Sequence, residues 1–200
     1  MGGDPGRDNP TIRPVRVEVE GTESPVPDFL PWLNRIKEAV DPSETPFLVG
    51  LPRFLEVSWS DSKSEFLGLT RFELNPNELM RRRRMGAPSG PVKIELNPIL
   101  VGDQTLLDHT FVHELLHAAG LTEHDGRHAA LTASLAPPPS LSESPVLQRL
   151  RSAVIDGQDV QGWVCINCNS KWKRSTISRP KRCPHCARSE VQPDNGLSRG

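Results

Sequence analysis

Apolar residues recur at helical spacing in three segments of this chain and alternate with polar residues in three others. The helical segments are residues 29–40, 106–119 and 127–135, and the segments that predict strands are residues 53–59, 66–74 and 92–96. Asp103 or Thr105 can cap the second helix, and Gly120 can end it in a left-handed conformation. The order of one helix, three strands and two helices predicts a small α+β domain around a three-stranded antiparallel or mixed sheet.

Segments rich in proline, glycine and serine divide the rest of the chain. Residues 1–27 are expected to be mostly disordered, although residues 15–20 alternate as a short strand would. The predicted parts that follow are a folded domain at 28–136, a Pro/Ser-rich linker with a short helix at 137–162, a small cysteine-containing module at 163–191 and a disordered tail at 192–200.

The formal net charge of −1 conceals an uneven distribution of charge along the chain. Residues 28–136 contain 11 Lys/Arg and 15 Asp/Glu, whereas residues 163–190 contain seven basic residues and one acidic residue. A basic module on an acidic domain is expected if the module meets a polyanion, and a merely solvated surface is the alternative. Residues 81–84 are four consecutive arginines in a predicted loop, for which solvation and phosphate contact both stay open.

Targeting signals and cysteine usage indicate the compartment. No apolar stretch approaches the ~20 residues that span a bilayer, and residues 1–10 lack the apolar run of a signal peptide. We therefore expect a monomeric cytoplasmic protein without a membrane partner. All four cysteines fall into two Cys-x-x-Cys pairs, which in a reducing compartment favours metal binding over disulfides.

Residues 113–117 read His-Glu-Leu-Leu-His within the second predicted helix. Residues four apart project from one face of a helix, so His113 and His117 can bind a single Zn²⁺ while Glu114 stands beside them. The alternative is an apolar helix that carries two histidines and a glutamate by chance. The pattern favours a metal-dependent hydrolase.

A catalytic zinc needs a third protein ligand and an open position for water. A metzincin would place a histidine where Glu123 stands and would need a later methionine, but the only methionines are Met1, Met80 and Met85. His124 follows a bend after the helix and is the favoured third ligand, with His128 as the second choice. For both His124 and His128, the alternative is a histidine that caps a helix or lies on the surface without binding metal.

The cysteine pairs predict a second, structural metal site. Fourteen residues separate Cys165-x-x-Cys168 from Cys183-x-x-Cys186, so four thiolates can surround one Zn²⁺. A redox role would need only one pair. A module this small cannot bury enough apolar surface to fold alone, so the metal is expected to supply its stability. The chain is therefore expected to bind two Zn²⁺ ions, one catalytic and one structural.

Aromatic residues stand among cations in the cysteine-containing module, a composition that suits stacking on bases beside phosphate neutralisation. Trp163 is expected instead to pack the small core of the module. The residues predicted to contact nucleic acid are Lys171, Trp172, Lys173, Arg174, Arg179, Lys181 and Arg182.

The order of these motifs along the chain is more specific than the pentad taken alone. It comprises Val57-Ser58-Trp59-Ser60, Gly68-Leu69-Thr70, Ile94-Glu95-Leu96-Asn97-Pro98, the pentad at 113–117, a third histidine and a basic four-cysteine ribbon. Over roughly residues 29–190 this series resembles the SprT-like metallopeptidases, the family that includes Spartan. Family members usually show His-Gly-x-x-aromatic at the third ligand, where this chain reads His124-Asp125-Gly126-Arg127-His128.

The resemblance implies a zincin-type domain followed by a zinc ribbon. It further implies a zinc endopeptidase that acts on DNA-associated or DNA-crosslinked proteins near the nucleoid, with the ribbon as the DNA-binding module. In this hypothesis His113, His117 and His124 hold the zinc, and Glu114 takes a proton from the metal-bound water. Two alternatives stay open: a nucleic-acid-binding zinc protein without peptidase activity, and a general cytoplasmic metallopeptidase whose ribbon binds protein.

Overall fold

The computed structural model describes residues 24–194 of the chain. The strand expected at 15–20 therefore lies outside the described residues, as does most of the tail expected at 192–200. The described residues form two compact units, which we call the larger unit (residues 24–147) and the cysteine unit (residues 148–194). None of the described helices is long and apolar enough to cross a membrane.

The larger unit contains helices, three strands and a 3-10 helix at Pro98–Gly102, and its last helix continues into the cysteine unit. Its elements are α1 (Leu30–Ala39), α2 (Leu51–Phe54), β1 (Leu55–Trp59), β2 (Gly68–Phe72), α3 (Pro76–Met85), β3 (Val92–Leu96), α4 (Gln104–Ala119), α5 (Gly126–Leu135) and α6 (Pro145–Asp156). The helix expected somewhere in 137–162 corresponds to α6.

The three strands form a mixed sheet in the order β1-β3-β2, as one of the two sequence-based alternatives proposed. Strand β3 lies in the centre, parallel to β1 and antiparallel to β2. Its alternate residues Val92, Ile94 and Leu96 are buried against the helices. Strand β2 lies at the edge of the sheet, so one side of its backbone is left without a neighbouring strand in the described structure.

Helix α4 forms the centre of the larger unit. The Asp103 side chain caps it by accepting a hydrogen bond from the backbone N–H of Leu106 at 3.0 Å. At its other end Gly120 adopts φ 116°, and a Cβ there would lie 2.8 Å from Pro46, so glycine is required both by conformation and by space. Both ends thus follow the sequence-based prediction. The predicted apolar stripe, Leu107, Phe111, Leu115 and Ala118, is buried.

Residues 81–84 lie in helix α3, so the prediction of a loop was wrong. Asn75 caps this helix, with its side chain accepting from the backbone N–H of Glu78 at 3.0 Å, and Pro76 occupies the first turn. Gly86 ends it in a left-handed conformation. Proline suits the start of a helix because its fixed φ matches the first helical turn.

The predicted strand at 53–59 was also too long at its beginning. Residues Leu51–Phe54 form the short helix α2, which has proline in its first turn, and only Leu55–Trp59 is extended. The other two strand predictions hold within a few residues: β2 is two residues shorter at each end than 66–74, and β3 coincides with 92–96.

The cysteine unit is built on a small antiparallel sheet of β4 (Gly162–Cys165), β5 (Lys171–Lys173) and β6 (Val191–Pro193), in the order β5-β4-β6. Its buried core consists of Trp163, Cys165, Cys183 and Val191, with Trp172 half-buried against it. Trp163 is thus a core residue, as the sequence predicted. Two of the four core side chains are cysteines, so apolar burial alone is small.

Candidate metal centre

Three histidine side chains converge at one end of α4. His113 and His117 project from the helix, and His124 reaches them from the loop after Gly120. The Nε2 atom of His117 lies 3.1 Å from that of His113 and 3.0 Å from that of His124, and the third pair is 3.3 Å apart. Three nitrogens bound tetrahedrally to one Zn²⁺ would be about 3.4 Å apart. These histidines could therefore hold a metal ion.

The surroundings of His113 and His117 keep these two imidazoles neutral, and the imidazole of His117 is also held in orientation. The carbonyl oxygen of Leu121 lies 2.7 Å from Nδ1 of His117, so a proton on Nδ1 donates to it and the Nε2 lone pair faces the other histidines. Burial, followed by the neighbouring histidines, lowers the pKa of His113 to about 4. Burial also lowers the pKa of His117. His113 and His117 are thus neutral at pH 7, as metal binding requires.

His128, the second choice for the third ligand, lies outside this group. Its side chain is buried, and its ring stacks on His117 at 4.3 Å between centroids and meets His113 edge-on at 4.4 Å. Its Nε2 atom has no hydrogen-bond partner within the described part of the chain. His128 therefore supports the two helical histidines through ring packing, while His124 completes the converging set.

Glu114 lies beside the histidines with its carboxyl group buried. The Thr70 hydroxyl is 2.7 Å from Oε2 of Glu114 and 3.0 Å from its backbone carbonyl oxygen. Burial raises the pKa of the Glu114 carboxyl, against an opposing effect of the Thr70 hydrogen bond. One hydroxyl on strand β2 thus lies within donating distance of both the side chain and the backbone of Glu114.

A cleft of about 290 Å³ opens next to these groups. Edge strand β2 forms one wall and the loop with His124 forms another, and the lining residues are Gly68, Leu69, Thr70, Phe72, Glu114, His117, Thr122 and His124. A Cβ on Gly68 would stand 2.8 Å from Cγ of Glu114. Only glycine lets the strand approach the carboxylate this closely.

Sequence reasoning gave Gly68 and Thr70 no role in the site. A glycine inside a strand pattern does signal a close approach of the backbone, so Gly68 could have been identified as a packing position. Nothing local indicated that Thr70 meets Glu114, because the two residues are 44 positions apart and are joined only by the packing of β2 on α4.

The four cysteines form a second group that could hold a metal ion. The Sγ atoms of Cys165 and Cys186 are 3.6 Å apart, and those of Cys168 and Cys183 are 3.7 Å apart. Four thiolates around one Zn²⁺ would be separated by about 3.8 Å. The two pairs adopt the same turn: Asn169 and Ala187, each four residues after the first cysteine of its pair, both have positive φ.

Several cations predicted to contact nucleic acid are engaged within the cysteine unit. Lys171 pairs with Asp194 at 3.1 Å. Arg174 donates to the carbonyl oxygens of residues 160, 176 and 177 and covers the ring of Trp163, and Arg179 donates to the carbonyl of Val191. These three side chains hold the loops of the unit in place. The predicted residues that are exposed, with no partner in the described structure, are Lys173, Lys181 and Arg182.

The comparisons with known proteins add no assignment to this geometry. No protein-family model matches the chain, and no significant match was found among curated proteins or solved structures.

Proposed function

We propose that this protein is a zinc-dependent endopeptidase of the SprT-like type. The observation that carries the proposal is the convergence of three histidine nitrogens next to a buried carboxyl, at the edge of an open cleft. Three imidazoles are a donor set that suits Zn²⁺ and leaves a fourth position open. The sequence resemblance, which rests on the same residues, points to the same reaction.

The reaction assigns a role to each group. A bound zinc would supply Lewis acidity, lowering the pKa of water and polarising a carbonyl. Glu114 accepts the proton of the attacking water and returns it to the leaving amine. Thr70 and the close approach of Gly68 hold the carboxyl in place, and His128 packs behind His113 and His117.

The shape of the cleft supports an extended peptide as substrate. Edge strand β2 runs along the cleft with one side of its backbone unpaired in the described structure, so a peptide could add to it as a further strand. Among the described residues the cleft has no deep pocket of one charge that would select a side chain. We therefore propose cleavage of unstructured protein segments with little sequence preference.

The cysteine unit supports the proposal of a nucleic-acid partner. Its exposed cations Lys173, Lys181 and Arg182 stand on the same small unit as the half-buried Trp172. Cations and an aromatic ring together suit single strands, whose bases stack while the phosphates are neutralised. In this proposal the substrates are proteins bound or crosslinked to DNA.

A cleavage assay tests the peptidase directly. Full-length protein loaded with Zn²⁺ is expected to cut an unfolded protein such as casein, to lose this activity in a strong chelator and to regain it when zinc is added back. A stably folded protein should be cut more slowly than its own denatured form. A zinc-loaded protein that leaves casein intact in the presence and absence of DNA would support the non-catalytic alternative.

Thr70→Val tests the positioning of Glu114. Valine keeps the shape of threonine but removes the only side-chain donor to the carboxyl in the described structure, at a cost of about 1–3 kcal/mol for a buried group. We expect kcat to fall by roughly ten-fold or more, with KM and zinc content unchanged. Thr70→Ser is the matched control, since it restores the hydroxyl and should restore kcat. Equal rates for the valine and serine variants would show that the Thr70 hydroxyl does not position Glu114.

A further inference from the structure

Helix α3 contributes little to the core of the larger unit. None of its side chains is buried, and both methionines, Met80 and Met85, are exposed. Local interactions hold it: the Asn75 cap, the left-handed Gly86 and the ion pairs of Glu78 with Arg81 and Arg82. Because none of its side chains is buried, packing alone does not account for this helix. Its surface is therefore available for another purpose.

Helix α3 is basic, whereas the rest of the larger unit is acidic. Residues 28–136 are acidic overall, with 15 acidic and 11 basic residues, yet four of these basic residues lie on α3, which has a single acidic residue. Glu78 neutralises only part of this charge, and its position between two guanidiniums lowers its pKa to about 2. Arg84 has no hydrogen-bond or ion-pair partner among the described residues, and the Arg81 side chain is 61% exposed despite its ion pair.

Helix α3 lies close to the loop that follows α4 and carries His124. Nη1 of Arg83 is 3.4 Å from the carbonyl oxygen of Gly120, the residue that ends α4. Arg83 also borders a small cavity lined by the loop residues 120–123 and Asp125. Thr122 of this loop lines the catalytic cleft as well. The arginine-rich helix and the cleft thus lie on two sides of the loop that carries His124.

We propose that the exposed face of α3, formed by Met80, Arg81, Arg84 and Met85, binds the phosphate backbone of a nucleic acid. This inference rests on the nucleic-acid partner in the proposed function, but not on peptidase activity. It adds a contact within the larger unit that is separate from the cysteine unit. A nucleic acid on α3 runs one loop away from the cleft, so a protein attached to it is presented where cleavage occurs.

Charge and side-chain chemistry favour phosphate over other polyanions. All four cations are arginines, whose planar guanidinium groups match the geometry of phosphate oxygens. Arg81 and Arg84 are three residues apart and therefore lie on one side of the helix. The neighbouring cavity is lined by Glu44, Glu123 and Asp125 together with Arg83 and Arg127, and Glu44 is paired with Arg127, so this cavity attracts a polyanion less than the exposed arginines of α3 do.

The test compares two full-length double variants that lose the same charge. Arg81→Gln/Arg84→Gln removes the proposed contacts and keeps good helix formers, whereas Lys37→Gln/Lys63→Gln removes two exposed cations elsewhere in the larger unit. Binding of a short fluorescent oligonucleotide, single-stranded or duplex, is measured over a range of salt concentrations. The α3 variant is expected to raise Kd by about ten-fold at low salt and to lower the salt slope by about 1.4–1.8, while the lysine control stays within about two-fold of the wild type.

The outcomes separate this inference from the proposed function. If both variants bind the oligonucleotide as the wild type does, the inference on α3 is wrong and the proposed function stands. If both variants lose affinity equally, the effect comes from net charge and the inference is also wrong. If the wild type itself does not bind, both the inference and the proposed nucleic-acid partner fail. Unchanged zinc content and an unchanged circular dichroism spectrum confirm in each case that the variant is folded.

Discussion

Replacing Glu114 with glutamine is expected to lower kcat for peptide cleavage by about 10²–10⁴-fold. Glutamine has the same size and can still accept the hydrogen bond from Thr70, but its amide cannot take up the proton of the attacking water. Because Glu114 is not among the converging metal-binding atoms, zinc content and KM should stay at wild-type values. Steady-state cleavage of a fluorogenic peptide, with zinc measured on the same sample, provides the test.

Glu123→Gln is the matched control for this substitution. Glu123 is an exposed carboxylate in the loop next to His124 and does not line the cleft, so its variant should cleave at the wild-type rate. If Glu114→Gln keeps both its zinc and full activity, Glu114 is not the general base and the proposed mechanism is wrong. A loss of zinc in Glu114→Gln would instead show that the carboxyl takes part in binding the metal.

Replacing Cys183 with serine is expected to unfold the cysteine unit. The described apolar core of this unit has four buried side chains, and Cys183 is one of them. Structural zinc contributes about 10–16 kcal/mol to the folding of comparable small domains, far more than so small a core can supply. The exposed cations would lose their arrangement, so oligonucleotide binding should weaken strongly.

Hydrogen exchange followed by mass spectrometry can locate this unfolding. Amides in β4, β5 and β6 should lose their protection in Cys183→Ser, whereas those of α4 should keep it because its core lies in the larger unit. Ile166→Ser, which changes an exposed residue next to Cys165, is the control and should keep the protection. Full protection of the strands in Cys183→Ser would show that the unit folds without a complete metal site.

The features that the sequence predicted correctly have local causes. Helix α4 has an unbroken apolar face with a capping aspartate before it and a glycine after it, so its bounds could be inferred from neighbouring residues alone. The spacing of four residues in one helix likewise places His113 and His117 on a common face. The burial of Trp163 followed from the scarcity of other apolar residues in the cysteine unit.

The features that could not be predicted from the sequence depend on competing local signals or on contacts between distant residues. In α3 the Asn75-Pro76 cap and the glutamate at 78 promote a helix, but the run of arginines and the following Gly/Pro segment suggested a loop. The meeting of Thr70 with Glu114 requires the whole sheet to be in place. The intramolecular bonds of Arg174 could not be foreseen either, since a cation on a small module has many acceptors within reach.

The zinc content of three purified full-length proteins shows whether His124 completes a site with His113 and His117. We expect two zinc ions per chain in the wild type and one in His124→Ala, because only the cysteine site survives that change. We expect two in His128→Phe, where a ring that packs behind His113 and His117 is kept. A wild type that binds one zinc, or a His128 variant that loses a zinc which the His124 variant keeps, would contradict the site proposed for His113, His117 and His124.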